Sequence, residues 1–532
     1  MRTRKKQREE WWLVLSSSCL AGGCWGILEA VIRLASSATG EYDAIFWGYV
    51  FYGLFGVLLA LPLYGINSLL RHYFSASFRW SLYFCVVLSS LAFWILGTIL
   101  FFFVAVVAVW LIDVFLRRSP LKILPTLKGG LAMGGALLIL TAVFSLTTGP
   151  IQRKLSRPDQ YESDNRNVLL LSIDGLRADR LRRGLSPSID HLRSQSQIFE
   201  EAYSESTDSK IALQAILGGQ HQWLSRGDIP DSFLSFSELA LERGYHTGAI
   251  VNDISLGVYS NLDQGFEEYT FLPPHSPLPF TEGARRLSLI QFLLEIWAKQ
   301  GNNPGRYYRS SSEVFAQIKE FLSDKGDENW FLYAHFRELE PPLFMENKQG
   351  FYRPKGREIL KAYDDQLRRI DGSIGSFLVW FNQQPFAKNS VLILLSTKGA
   401  SLGEDSNIPQ LRVPLSIYVP QRPPMNHKGI VQLIDLPPTM GALLSFERQA
   451  WSGVNILHNS FQVRERPIYF RSEKGWSMIQ LNGWRYMHYG DRQEGRLFNI
   501  DADPRQMRDL HIKEPRRREE LRDILSTMET SQ

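Results

Sequence analysis

The first 150 residues contain four apolar runs that are too long and too hydrophobic for the surface of a globular domain. They cover residues 11–34, 44–70, 81–116 and 131–148. A transmembrane helix needs about 20 apolar residues, and at a rise of ~1.5 Å per residue the third run would be ~54 Å long against a hydrocarbon core of ~30 Å. We therefore divide the third run in two. The sequence predicts an N-terminal bundle of about five transmembrane helices within residues 1–150.

The positive charges between these runs predict the orientation of the bundle. Lys and Arg occur in residues 1–10, 71–79 and 117–122, whereas residues 35–43 have neither. Cytoplasmic loops are enriched in Lys and Arg, so the N-terminus is expected inside and, with five spans, the chain beyond residue 150 outside the cytoplasm. Four spans would place it inside, and this alternative stays open. We expect a multi-pass protein of the cell (inner) membrane.

For the rest of the chain the sequence predicts a polar linker, residues 151–166, followed by a periplasmic domain, residues 167–532. Short apolar runs at 168–173, 247–251, 330–336, 391–395 and 414–419 alternate with helical patterns at 312–322 and 359–380. This alternation predicts an α/β domain with a central, mostly parallel sheet. Asp174 follows the first run, at the strand end where α/β sheets bind ligands.

Cysteine usage and charge exclude some classes of function. The cysteines are Cys19, Cys24 and Cys85, all in apolar runs, so residues 167–532 can form neither a disulfide nor a Cys-based metal site. The formal net charge of +5 comes without a long Lys/Arg block. This argues against a nucleic-acid partner and leaves the lipid bilayer as the expected one.

Seven short segments resemble, in order, the motifs of sulfatases in the alkaline-phosphatase superfamily. They are residues 167–181, 186–192 with 199–203, 244–247, 363–375, 413–415, 434–439 and 497–504. The resemblance implies a sulfatase-like α/β domain with a small C-terminal sheet. Together with five spans it is similar to lipoteichoic-acid synthases, phosphoethanolamine transferases and a lipopolysaccharide-regulating inner-membrane protein without hydrolytic activity.

The same resemblance implies where a nucleophile would lie. Sulfatases and lipoteichoic-acid synthases carry it just before a helix, and counting from Lys210 selects Ser206 or, after a shift of one residue, its neighbour Thr207. The formylglycine motif of sulfatases needs Pro and Arg where Asp208 and Lys210 stand, so this modification is not expected. A second interpretation stays open, since Ser, Thr and Asp before an apolar helix also form a good N-cap.

The metal ligands of the family are incompletely matched. Asp174 corresponds to a ligand on the first strand, but the second ligand pair corresponds to Thr397 and Lys398. One carboxylate does not hold a divalent ion, so we expect no metal cofactor, with Ca, Mg, Mn or Zn implied only if the protein is active. We predict that Lys398 pairs with Asp174 in place of the metal; the alternative, that Lys398 points to solvent from its loop, stays open.

Two functions remain open from the sequence. The first is a catalytically inactive binding or regulatory module for an anionic envelope lipid, a glycan or a membrane-protein partner. The second is an active hydrolase of sulfuric or phosphoric esters, or a phospho-group transferase, acting on envelope lipids or glycans with Ser206 or Thr207 as nucleophile.

Residues 287–299 form one further helical pattern. Apolar side chains at Leu287, Ile290, Leu293, Leu294 and Trp297 share one face at helical spacing. The pattern favours a helix packed on the core of the domain, and a helix that contacts a membrane or a partner is the alternative.

Overall fold

The structure is a computed structural model, and it divides the chain into two compact units. One comprises Met1–Arg153 with Ser276–Gln300, and the other Lys154–His275 with Gly301–Gln532. The residues that it describes are 2–35, 43–70, 166–181, 184–221, 229, 233–257, 261–275, 287, 289–290, 293, 296–297, 303–326, 328–402, 411–446, 451–458, 466–472, 476–489, 495–503 and 506–530.

The first unit contains a pair of long helices, α1 (Arg2–Ala35) and α2 (Asp43–Leu70). Glycines bring their backbones together, because a Cβ on Gly26 would lie 2.0 Å from the Gly48 carbonyl oxygen and one on Gly22 1.9 Å from that of Tyr52. Within the described residues, no helix combines the length and the apolar character that crossing a membrane requires. The predicted spans at 81–116 and 131–148 lie outside those residues, as does the linker except residue 166.

The second unit is built on an eight-stranded sheet of order β10-β2-β9-β8-β1-β5-β3-β4. Its strands are β1 (Asn167–Ile173), β2 (Gln197–Tyr203), β3 (His246–Val251), β4 (Glu268–Phe271), β5 (Trp330–Phe336), β8 (Ser390–Leu395), β9 (Leu415–Tyr418) and β10 (Met425–Gln432). Only β9 is antiparallel to its neighbours among these strands. The prediction of a central, mostly parallel sheet is confirmed.

Helices cover both faces of this sheet. They are α3 (Ala178–Leu181), α4 (Pro187–Ser194), α5 (Ser209–Gly218), α6 (Phe236–Glu242), α7 (Ser311–Lys325), α8 (Glu358–Phe381) and α9 (Leu436–Leu443). Alternate residues of β1 enter opposite cores, Val168 and Leu170 beside α5 and α6, and Leu169 and Leu171 beside α7 and α8. A strand buried on both faces must be apolar throughout, which explains the continuous run that the sequence shows.

Smaller elements complete the second unit. A hairpin of β6 (Met345–Asn347) and β7 (Gly350–Tyr352) follows β5, and an antiparallel sheet contains β11 (Ile468–Arg471), β12 (Trp476–Leu481), β13 (Trp484–Tyr489) and β14 (Arg496–Asn499). Helix α10 (Pro515–Thr530) packs on this second sheet through Leu521 and Leu525. The small C-terminal sheet implied by the resemblance is therefore present.

Candidate active site

The carboxyl ends of four neighbouring parallel strands meet at one edge of the large sheet. Asp174 follows β1, Asn252 and Asp253 follow β3, Arg337 follows β5, and the turn of Thr397 and Lys398 follows β8. This is the edge at which α/β sheets place their ligands.

The turns after β1 and β8 are fixed to each other by their backbones. Gly175 N–H donates to the Lys398 carbonyl at 3.0 Å, and Ala400 N–H donates to the Gly175 carbonyl at 3.1 Å. Gly175 has a φ of +81°, and a Cβ there would lie 2.6 Å from the carbonyl carbon of Leu339. Only glycine meets both demands, which explains the Asp-Gly pair at the end of β1.

Three side chains converge at this edge in an arrangement suited to a metal ion. Asp174, Asp253 and His335 are buried, and each offers one ligand atom within 4.8 Å of the others. His335 Nε2 lies 3.6 Å from Asp174 Oδ2. The resemblance matched Asp174 alone to a ligand of the family, but strands β3 and β5 bring an aspartate and a histidine to it.

Neighbouring groups orient these three side chains. The Tyr333 hydroxyl lies 2.8 Å from His335 Nδ1, and Arg337 Nε donates to Asp253 Oδ2 at 2.8 Å. Burial opposes the ionisation of Asp253, but the charges of Arg337 and His335 and the N–H of Ser255 lower its pKa to about 2. Asp253 is thus a carboxylate at any physiological pH, as a metal ligand must be.

Several buried polar atoms at this edge lack a hydrogen-bond partner. They are Asp174 Oδ1, His335 Nε2, Thr397 Oγ1 and Glu340 Oε1. Buried polar groups without partners are costly and rare, and here most of them are acceptors, which a cation would satisfy. Two carboxylates and one imidazole suit Zn²⁺ or Mn²⁺. The residues present therefore fit a divalent metal ion.

A hydroxyl that the sequence analysis did not select lies directly against this cluster. Ser209 is the first residue of α5, and its Oγ donates to Asp174 Oδ2. Asp208 is the N-cap and accepts hydrogen bonds from the Lys210 and Ile211 amides. The sequence signal that could have identified Ser209 is the N-cap, because Ser209 directly follows the capping residue Asp208 and is therefore the first residue of the helix.

Ser206 and Thr207, the predicted nucleophile positions, lie just before this cap. The Ser206 hydroxyl is buried and accepts the Asp208 N–H at 3.0 Å, while Thr207 is half-buried. Ser206 thus shapes the turn that leads into α5, in keeping with the capping interpretation. Their roles as nucleophile stay predictions.

Lys398 is at this edge, but its ion pair differs from the expected one. Its Nζ lies 3.6 Å from Glu340 Oε2, so Glu340 is the partner found for Lys398 within the described residues, in place of Asp174. Burial opposes the charge on Lys398, yet the carboxylates of Glu340, Asp174 and Asp253 outweigh it and keep the pKa of Lys398 above its usual value. Burial also raises the pKa of Glu340 to about 7.

Two motifs of the resemblance have structural roles. Tyr363 donates to the Gly175 carbonyl at 2.8 Å and accepts the Arg177 N–H at 3.0 Å, so it supports the turn after β1. Asp371 accepts the Ser188 and Ile189 amides at the start of α4.

Comparison with known proteins agrees with this fold. Solved structures with the same fold include a protein of the alkaline phosphatase superfamily from Vibrio parahaemolyticus, which has 18% identity and a TM-score of 0.51 over 70% of this chain and 89% of its own. The phosphonate monoester hydrolase of Agrobacterium radiobacter has 15% identity and a TM-score of 0.53 over 68% and 95%. A Bacteroides thetaiotaomicron protein from glycosaminoglycan metabolism has 17% identity and a TM-score of 0.53, over 69% of this chain and 99% of its own.

The model of the family described as Sulfatase matches residues 166–446. This segment carries the eight-stranded sheet and every residue of the site described above, and it makes up more than half of the chain. The chain therefore belongs to the sulfatase family.

Proposed function

We propose that the protein is a divalent-metal-dependent hydrolase or transferase of phosphoric or sulfuric esters. The observation that carries this proposal is the convergence of Asp174, Asp253 and His335, with unpartnered acceptor atoms, beside the Ser209 hydroxyl at the start of α5. A metal-free binding site for an anion would instead present unpartnered donors. Here the nearby cations, Arg337 and Lys398, already face Asp253 and Glu340.

Each group of the site has a separate role in the proposed reaction. A bound metal would neutralise the ester oxygens and favour the ionised nucleophile. Ser209 Oγ would attack phosphorus or sulfur as the bond to the leaving alcohol oxygen breaks, and its proton would pass by way of Asp174 Oδ2, which already accepts the Ser209 hydrogen bond, to that leaving oxygen. Water, or an acceptor alcohol in a transferase, would then attack the seryl ester and release Ser209. The N-terminus of α5 adds positive potential for the anionic ester.

A second candidate is the inactive binding or regulatory module for an anionic lipid, glycan or protein partner. The observation that favours it is the turn after β8, where Thr397 and Lys398 stand at the second ligand pair of the family. In this alternative the Lys398 ammonium, half-buried near three carboxylates, takes over part of the electrostatic role of a metal.

We also propose that the chain is anchored in the cell membrane with its sulfatase-like domain in the periplasm, acting on envelope lipids or glycans. The distribution of Lys and Arg between the apolar runs supports this orientation. Close backbone approach at Gly22, Gly26 and Gly48 between α1 and α2 is also typical of helix pairs in lipid.

The decisive experiment measures metal content and turnover on the purified full-length protein. We expect about one divalent ion per chain and hydrolysis of aryl phosphates, phosphonates or sulfates. Asp253→Asn should lose the ion, whereas Ser209→Ala should keep it and lose turnover by about 100-fold or more. Asp324→Asn, at an exposed aspartate of α7, is the matched control.

The outcomes separate the alternatives. Loss of turnover in Ser206→Ala or Thr207→Ala, with Ser209→Ala still active, would assign the nucleophile to the position that the sequence predicts. Neither bound ion nor turnover above that of Ser209→Ala would reject the hydrolase and leave the binding module.

A further inference from the structure

The connection between β4 and α7 belongs for part of its length to the unit of the N-terminal helices and not to the α/β unit. Residues Ser276–Gln300 of this connection belong to the unit of the N-terminal helices, although the chain on both sides belongs to the α/β unit. This is the stretch in which the sequence shows an amphipathic helical pattern. Its described residues are 287, 289–290, 293 and 296–297.

The described part of this segment contacts α2 through a hydrogen bond and contains buried apolar side chains. The Leu289 N–H donates to the Tyr52 hydroxyl at 3.0 Å. Leu287, Leu289 and Ile290 are buried, as is Tyr52 itself, whereas Leu293 is exposed. Three apolar side chains of the segment are thus buried beside the hydrogen bond to Tyr52, in a stretch that belongs to the helix unit. The prediction of a helix packed on the core of the domain is not what the structure shows.

The two ends of the connection are fastened to each other within the α/β unit. His275 N–H donates to the Gly305 carbonyl at 2.7 Å, and Arg309 Nε donates to the Pro273 carbonyl at 2.9 Å. The Arg309 carbonyl in turn accepts Asn252 Nδ2 at 2.8 Å, next to Asp253 of the site. Residues of the α/β unit itself thus hold the two ends of the connection together.

We propose that residues 276–300 are a docking segment whose partner is the α1–α2 helix pair of the same chain. The segment is then an interaction surface within the helix unit and not a piece of the core of the α/β unit, although the chain on both sides of it belongs to the α/β unit. This inference is independent of the proposed chemistry, because neither Tyr52 nor Leu289 belongs to the site.

Hydrogen exchange of the full-length protein tests the proposal at the contact itself. Tyr52→Phe removes the acceptor and keeps the ring, so the Leu289 amide should exchange about fivefold faster, the effect of one net hydrogen bond. Ile290→Ser should speed exchange throughout the segment by roughly 30-fold or more, because a buried apolar contact is lost. Peptides from β1 and β5 should exchange as in the wild type.

Two exposed leucines supply matched controls. Leu54→Ala on α2 and Leu293→Ala on the segment each remove an exposed leucine, and both should leave the Leu289 amide unchanged. Unchanged exchange in both Tyr52→Phe and Ile290→Ser would overturn the docking contact. Equal acceleration in β1 and β5 by Ile290→Ser would show instead that the segment is part of the α/β core.

Discussion

A buried glutamate beside the start of α5 makes the stability of the α/β unit depend on pH. Glu205 is fully buried; its Oε1 accepts the Ile434 N–H at 2.9 Å, while Oε2 has no hydrogen-bond partner. Burial, reinforced by the nearby Asp435 carboxylate, raises the pKa of Glu205 from 4.5 to about 8, although the Ile434 amide and Arg466 counteract it in part. The folded protein therefore keeps this carboxyl protonated near neutral pH.

The sign of the effect follows from this raised pKa. Below about pH 4.5 both folded and unfolded chains carry the proton, and its full contribution to stability is present. As the pH rises towards 8, only the unfolded chain releases the proton, so the free energy of unfolding falls by about 1.4 kcal/mol per pH unit, to a total of at most about 5 kcal/mol. Glu205→Gln keeps the shape and an acceptor but removes this titration.

Urea unfolding at pH 5, 6, 7 and 8, followed by near-ultraviolet circular dichroism, measures the difference. Wild type should lose stability relative to Glu205→Gln as the pH rises, and the variant should be the more stable protein at pH 8. Glu242→Gln, at an exposed glutamate of α6, should follow the wild type throughout. Parallel curves for wild type and Glu205→Gln, or a difference of opposite sign, would refute the reasoning.

Three further substitutions and a fusion test other parts of the structure. Gly26→Val should destabilise the α1–α2 pair by about 1–3 kcal/mol, whereas Gly53→Ala, whose Cβ would have 3.6 Å to its nearest neighbour, should be tolerated; thermal unfolding of the two variants makes the comparison. Arg466→Met should cost about 3–5 kcal/mol in urea unfolding, because the buried carboxylate of Asp435 loses its ion-pair partner. A reporter active only in the cytoplasm, fused after Gln532, should be silent, and a bright signal would reject the five-span orientation.

Local patterns were sufficient to predict most of the α/β architecture. The apolar runs that became β1, β3, β5, β8 and β9 are each as long as a buried strand, and their alternation with helices leaves few topologies for the sheet. The antiparallel direction of β9 could not be predicted, because an apolar run of this length fits a buried strand of either direction.

The sequence predicted part of the site. Asp174 was found because it follows an apolar strand directly, and Lys398 because the turn after another apolar strand was matched to a ligand pair of the family. His335 lies inside a buried strand, where a lone histidine is more often a structural residue. Asp253 follows β3, and only the strand order, with β5 between β1 and β3, brings it near Asp174. Ser209 was missed because several hydroxyls and a carboxylate precede α5, and only the cap geometry distinguishes them.

The three passages of the chain between its two units also set an order of events during synthesis. The ribosome releases α1 and α2 first, then β1 to β4, and only then the residues 276–300 that complete the helix unit. Strand β1 obtains its neighbours later still, since Asn167 bonds to Trp330 across 163 residues and β8 follows further on. During elongation β1 is thus an unpaired apolar strand, and α1 and α2 contact residues 276–300 before β1 has its neighbours. Slow, long-range closure of this kind leaves β1 exposed to wrong partners for as long as translation takes.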